Sequence, residues 1–205
     1  MRHLLTFLSA IILSVAALAQ TPQEILSRME TEMDKHENDG IRMTVDVKIP
    51  VLGTMTTRTY TLGDRLRIDG TMMGVELITW TDGTTTWTYN TKTNEVEIDK
   101  SKQSGSESGD ADLFNDITDG YEVSIKKETA DAWHILCKKT KSNPDKDAPK
   151  TMELVVRKET YYPVSLNAKL SGLTMTMRDI AFGVTEKQVT FDPKDYPDAK
   201  IVDKR

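Results

Sequence analysis

The sequence predicts a mainly β, α+β protein: one large antiparallel meander, curled or nearly closed, accompanied by two helices. Three observations predict it. The hydrophobic period switches from about 3.6 to about 2 at Ile41. About a dozen short alternating runs follow, separated by Gly, Pro, Asp and Asn turn signals. The strand–helix–strand rhythm that a parallel sheet requires is missing.

The first helix opens at Thr21-Pro22-Gln23-Glu24, a capping box with Thr21 at the N-cap, Pro22 in the first turn and Glu24 reaching back. Ile25, Leu26, Met29 and Met33 then recur at helical spacing as one apolar stripe, and Gly40 is the expected stop. Ile41, Met43, Val45, Val47 and Ile49 alternate with Arg42, Thr44, Asp46 and Lys48 as a half-buried strand, which Pro50 and Gly53 break. A threonine-dominated strand runs through Tyr60 and Leu62, and Gly63-Asp64 turns the chain into Arg65–Asp69. Val75–Thr81 and Thr84–Asn90 are joined at Asp82-Gly83, a hairpin signal because both residue types tolerate positive φ. Val96 and Ile98 mark a short strand. Residues 99–110 read as a polar loop by composition, followed by a short amphipathic helix capped by Asp110 and carrying Leu113, Phe114 and Ile117. Strands resume at Tyr121–Ile125, Trp133–Cys137, Met152–Val156, Tyr162–Leu170, Leu173–Ile180 and Val189–Phe191, with no internal repeat.

The 205 residues, 38% hydrophobic and 29% charged, have the composition of one ordinary globular domain. A net charge of −5 argues against a nucleic-acid partner, which needs a basic face. The start reads as an address. Arg2 and His3 precede a mostly apolar Leu4–Leu18, which ends in the small-x-small pattern Ala17-Leu18-Ala19. Cleavage after Ala19 makes residues 1–19 a signal peptide and 20–205 a single exported, soluble domain. An uncleaved anchor is the alternative, but about 15 apolar residues are short for a bilayer span.

Chemistry-bearing candidates are thin. His36 and His134 are the histidines beyond the leader, and His134, between Trp133 and Ile135, reads as a packed or solvent-facing strand residue. Asp131 and His134 could form two legs of a metal site, but no third ligand stands near. Glu95, Glu97 and Asp99 alternate as a solvated face. The single cysteine, Cys137, reads as a small core hydrophobe. No serine sits in a nucleophile elbow and no glycine-rich phosphate loop is present. The expectation is a protein that is not an enzyme and carries no cofactor or metal.

Methionine stands out: ten in the chain, with Met43, Met55, Met72, Met73, Met152, Met175 and Met177 in or beside strands. Its adaptable thioether suits a cavity for acyl chains as well as it suits a fixed core.

Gly63-Asp64-Arg65-Leu66-Arg67-Ile68, then Thr79-Trp80-Thr81-Asp82-Gly83-Thr84-Thr85-Thr86-Trp87-Thr88-Tyr89-Asn90, resembles the periplasmic outer-membrane lipoprotein carrier family of LolA type. There a strand ending in arginine precedes an Asp-Gly hairpin followed by Trp-x-Tyr. The ending Val189-Thr190-Phe191-Asp192-Pro193 with Ile201-Val202-Asp203 is similar too, as is the order of parts.

The resemblance implies a single antiparallel sheet curled into an incomplete barrel, with the N-terminal helix and the short helix as lid. It implies a periplasmic monomer that shelters lipoprotein acyl chains and moves them from the inner to the outer membrane. Its partners would be acylated lipoproteins, an inner-membrane release transporter and an outer-membrane acceptor. On this reading Arg67 latches the lid. The lid and cavity residues are Ile25, Leu26, Met29, Met33, Val45, Val47, Leu77, Trp87, Leu113, Phe114, Ile117, Met152, Leu154, Met175 and Met177. A difficulty is visible at once: Leu66 and Ile68 share one strand face and Arg65, Arg67 and Asp69 the other. Two alternatives stand beside the carrier. One is a lipid- or lipoprotein-sensing, or accepting, module of the same half-barrel shape; the other is a secreted hydrolase.

Overall fold

The structure is a computed structural model and describes residues 20–51, 53–72, 74–101, 117–170 and 172–205. Helix α1 spans Pro22–Asp34. It starts as its sequence dictates: Thr21 Oγ1 accepts from the Glu24 N–H at 3.2 Å, and the Glu24 carboxylate accepts from the Thr21 N–H at 2.8 Å. That backbone bond holds the Glu24 carboxyl below the usual carboxylate range. The chain then turns at Gly40, whose φ is +66° and where a Cβ would lie 2.5 Å from the Thr61 carbonyl oxygen, so no side chain fits.

Twelve strands follow: β1 (Ile41–Ile49), β2 (Gly53–Leu62), β3 (Arg65–Met72), β4 (Val75–Thr81), β5 (Thr85–Asn90), β6 (Glu95–Lys100), β7 (Tyr121–Glu128), β8 (Ala132–Lys139), β9 (Thr151–Arg157), β10 (Pro163–Leu170), β11 (Leu173–Phe182) and β12 (Lys200–Asp203). They form one curled sheet in the order β12-β6-β5-β4-β3-β2-β1-β11-β10-β9-β8-β7, which does not close into a barrel. Its neighbours pair antiparallel except β12, which runs parallel to β6.

One expectation needs correction. Val189–Phe191 is not a strand. Glu186–Val189 forms helix α2, entered through Gln188, whose side-chain oxygen accepts from the Thr185 N–H at 2.8 Å. Pro193, with no N–H for a ladder, then opens a 3-10 turn over Pro193–Asp195. At the β4–β5 hairpin only Gly83 takes positive φ. Asp82 instead accepts from the Thr84 and Thr85 N–H groups at 2.9 and 2.7 Å. The helix expected after Asp110, with Leu113 and Phe114, lies outside the described residues, whereas Ile117 packs against the core.

Directly opposed residues share a face, so the register shows where the core sits. One rung runs Val45–Met177–Leu166–Leu154–Ile135–Ile125 and the next Val47–Met175–Ala168–Met152–Cys137–Val123. Helix α1 lies on this face. Followed the other way, the first rung becomes Val45–Thr57–Gly70–Leu77–Asn90–Glu95 and loses its apolar character. Over β2–β6 the opposite face is the apolar one: Tyr60–Arg67–Trp80–Trp87–Ile98 and Arg58–Asp69–Ile78–Tyr89–Val96. The C-terminal segment covers that second face with Val189, Phe191 and Tyr196. One sheet therefore buries opposite faces in its two halves.

Candidate functional site

The α1 seat is built from the apolar stripe read in the sequence. Ile25, Met29 and Met33 are 0% exposed and Leu26 5%. Beneath them lie Met43, Met152, Leu154, Leu166 and Ile135, with Val45, Met175, Met177 and Ile117 at the margin. Burying four such side chains contributes roughly 6–12 kcal/mol before entropy is counted. Much of this surface is thioether, which re-packs around a differently shaped occupant more readily than a branched core does.

Polar ties hold the helix at its ends. The Gln20 side-chain amide donates to the Tyr161 hydroxyl at 2.9 Å before the first turn. Beyond the last turn, His36 Nε2 and the Tyr162 hydroxyl share a hydrogen bond of 2.6 Å, and the other ring nitrogen meets Asp39 at 2.6 Å. The His36 ring also stacks on Phe182 at 4.2 Å. The two consecutive tyrosines thus reach opposite ends of one helix, and Tyr161 sits at φ +58°, a conformation that a bulky residue rarely adopts. Arg28, mid-helix, lies 4.7 Å over the Tyr161 ring.

Past α1 the same face continues across β1–β5 as an interleaving of apolar and hydroxyl groups. Val47, Ile68 and Leu77 are half-buried and Met55 is exposed, among Thr57, Thr59, Thr79 and Thr88. The Thr79 and Thr88 hydroxyls stand 3.5 Å apart.

The structure brings together Ile25, Leu26, Met29, Met33, Val45, Ile117, Met152, Leu154, Met175 and Met177, and places Val47 and Leu77 on the same face. It separates two others. Trp87 points to the opposite face, its ring 5.9 Å from Phe191, so it lines no cavity under α1. Arg67 is on that opposite face as well. Its guanidinium makes a two-pronged pair with Asp69 at 2.6 and 3.0 Å and lies 5.4 Å over Trp80 and 5.6 Å over Tyr60. The arginine cannot latch α1 because the sheet stands between them. The groups that do hold α1, Tyr161 and Tyr162, were missed; an adjacent tyrosine pair ahead of Pro163 was the signal available.

The isolated chemical candidates have structural partners. His134 Nδ1 lies 3.1 Å from Glu153, whose carboxyl is held low chiefly by Lys126. Glu95 and Glu97 pair with Lys200 and Lys204 beside β12. Burial pushes the Cys137 thiol up to about 11. Among the described residues no three His, Cys, Asp or Glu side chains converge as a metal site, and no helix is long and apolar enough to cross a membrane.

With this geometry in hand, the chain can be set beside known proteins. No protein-family model matches it, and no curated protein does. Among solved structures it is similar to LprF from Mycobacterium bovis, at 7% identity, with 80% of this chain and 95% of that one aligned and a TM-score of 0.52. What the chain shares with LprF is the fold. It is also similar to LolA superfamily protein NE2245 from Nitrosomonas europaea, at 12% identity over 85% and 99% of the two chains and a TM-score of 0.34. A conserved protein from Thermus thermophilus is 19% identical over 89% and 98%, with a TM-score of 0.47. At these identities the likeness is one of architecture, and any role has to come from the chain's own surfaces.

Proposed function

We propose that this protein is an exported carrier that shelters the acyl chains of lipoproteins and moves them across the periplasm, its mature chain starting at Gln20. One observation carries the reading: α1 seals a methionine-rich face with an apolar stripe and is tied down by polar bonds near its two ends. Lifting it exposes a continuous apolar surface on β1 and β7–β11. Each buried CH₂ contributes about 0.8 kcal/mol, so one sixteen-carbon chain brings on the order of 10 kcal/mol gross. Refilling the same surface with Ile25, Leu26, Met29 and Met33 offsets most of that, so the cargo can be released to an acceptor. The acidic net charge of −5 suits a shuttle that does not cling to anionic lipid through bulk charge. A sensing module of the same fold would use this face too, but would have no need to give the cargo up. Among the described residues, that face holds no assembled nucleophile, base or metal set that would favour hydrolysis.

The test replaces the stripe with polar residues. Leu26→Gln or Met29→Gln should weaken the closed state by about 1–3 kcal/mol. Thermal stability of the apo protein should fall while affinity for a fluorescent fatty-acyl probe rises. Tyr161→Phe and Tyr162→Phe, which cut the ties and spare the stripe, should move both quantities in the same direction by less. Variants that lose stability and bind the probe no better would reduce the stripe to ordinary core.

A further inference from the structure

On the face away from α1, β1 and β2 flank an open cavity of about 430 Å³ lined by Arg42, Met43, Thr44, Arg58, Tyr60 and Asp179. A bulge shapes it. β11 loses register with β1 between Arg42 and Thr44, and Asp179, at φ +56°, is the residue that absorbs the shift. The ladder places Thr44 directly between Arg58 on β2 and Arg178 on β11, and sets Arg42 beside Tyr60, diagonal to Arg58. Diagonal neighbours of this kind stand about 7–8 Å apart at Cα, within reach of two long side chains aiming at one point.

The charges around the cavity are unevenly satisfied. Arg178 takes both nearby carboxylates: its Nε donates to Asp46 at 2.7 Å and its Nη1 to Asp179. Thr56 also donates to Asp46, at 2.6 Å. Arg42 and Arg58 are exposed and have no carboxylate partner among the described residues. Thr44 is only 9% exposed, and its hydroxyl has no hydrogen-bond partner among the described residues. Two free forks of donors and one buried, unpaired hydroxyl thus share a single cavity on a protein of net charge −5.

We infer that this cavity binds a phosphate ester, its phosphate held between Arg42 and Arg58 and reached by the Thr44 hydroxyl. A lone carboxylate is satisfied by one guanidinium fork, whereas the several oxygens of a tetrahedral phosphate use two forks and a hydroxyl. The cavity is larger than a phosphate group, which leaves room along Tyr60 for the group it esterifies. The Asp179 carboxylate on the rim is paired with Arg178, which shares its single positive charge with Asp46, so the attraction for the anion has to come from Arg42 and Arg58. A lipid headgroup and a soluble ester both carry such a phosphate, and the chemistry of recognition is the same for both.

Two arms test this at low ionic strength. Glycerol 3-phosphate is titrated calorimetrically, and co-sedimentation is measured with phosphatidylcholine vesicles with and without phosphatidylglycerol. Saturable uptake of glycerol 3-phosphate alone assigns a soluble ester; sedimentation with phosphatidylglycerol vesicles alone assigns a headgroup. In whichever arm binds, Arg42→Gln with Arg58→Gln should lower affinity at least tenfold at an unchanged melting temperature. Arg58→Lys, which keeps the charge and loses the fork, should fall between. Acyl-probe affinity should not change in any of them, which separates this site from the carrier face. The proposal is overturned by no binding in both arms, by binding indifferent to the double variant, or by binding of a polyglutamate peptide as tight as that of the ester.

Discussion

The two halves of the sheet solve the same problem with different materials. On β1 and β7–β11 the buried face is aliphatic and sulfur-rich, and a helix tied by hydrogen bonds near its ends covers it. On β2–β6 the buried face is aromatic. Trp80, Trp87, Tyr89, Phe191 and Tyr196 form a run of ring contacts between 4.5 and 5.9 Å, with Arg67 and Asp69 along its edge. Aromatic pairs prefer defined offsets and angles, so this half has one good arrangement. Thioethers and straight aliphatic chains have many arrangements of similar energy, so the other half can exchange its cover. The difference teaches where motion would belong on the proposed reading: α1 is the cover that would leave, and the C-terminal segment the part that would hold the frame.

The sharpest way to break the comparison is to truncate the aromatic half. Trp80, 3% exposed, touches both Phe191 and Tyr196, and Trp80→Ala should cost about 3–5 kcal/mol of unfolding free energy by urea titration. Acyl-probe affinity of the folded fraction should not change. A gain in probe binding comparable to that of Met29→Gln would mean that the halves are one cooperative cover.

Much of this division was written in the chain, and its limits are instructive. The capping box at Thr21, the alternation of Ile41–Ile49 and the bounds of β4 follow from the residues directly. The stripe of α1 and its Met partners could be paired by composition alone. Which face β4 buries could not, because Val75, Leu77 and Thr79 on one side compete with Ile78 and Trp80 on the other. Period 2 offers both, and the choice is made by Phe191 and Tyr196 from more than a hundred residues away. The same non-local choice decides Arg67 and Trp87. Helix α2 is a different case. Thr185 and Gln188 carry a capping-box spacing that outweighs the β-forming run Val189–Phe191.

Cys137 sharpens the comparison from inside the α1 half. It sits in the rung between Val123 and Met152, 1% exposed. Burial favours its neutral thiol, raising it from 9.0 to about 11. Because the folded value lies above the unfolded one, the contribution is complete below about pH 9 and is lost as pH rises towards 11. The loss amounts to about 2–3 kcal/mol. Unfolding free energy measured at both ends of that window should drop more for the native chain than for Cys137→Ala. A disulfide reagent at neutral pH should leave the thiol unmodified in the apo protein and label it faster in Leu26→Gln, where the cover lifts more often. Equal labelling in the two would mean that α1 stays seated.

The smallest expected effect decides where the latch is. Arg67→Leu removes a pair that is about three-quarters buried, with side chains 26% and 18% exposed, and two ring contacts. It should cost about 1–2 kcal/mol of stability, all of it on the aromatic side. Since the sheet separates Arg67 from α1, acyl-probe affinity and transfer to an acceptor membrane should match the native protein. Tyr161→Phe, of similar or smaller thermodynamic weight, should raise probe affinity because it frees an end of the helix that covers the probe's site. The two variants therefore pull stability in one direction and binding apart. If Arg67→Leu instead loads the probe more tightly and fails to pass it on, control of the helix runs through the aromatic half. The frame and the moving part would then exchange places.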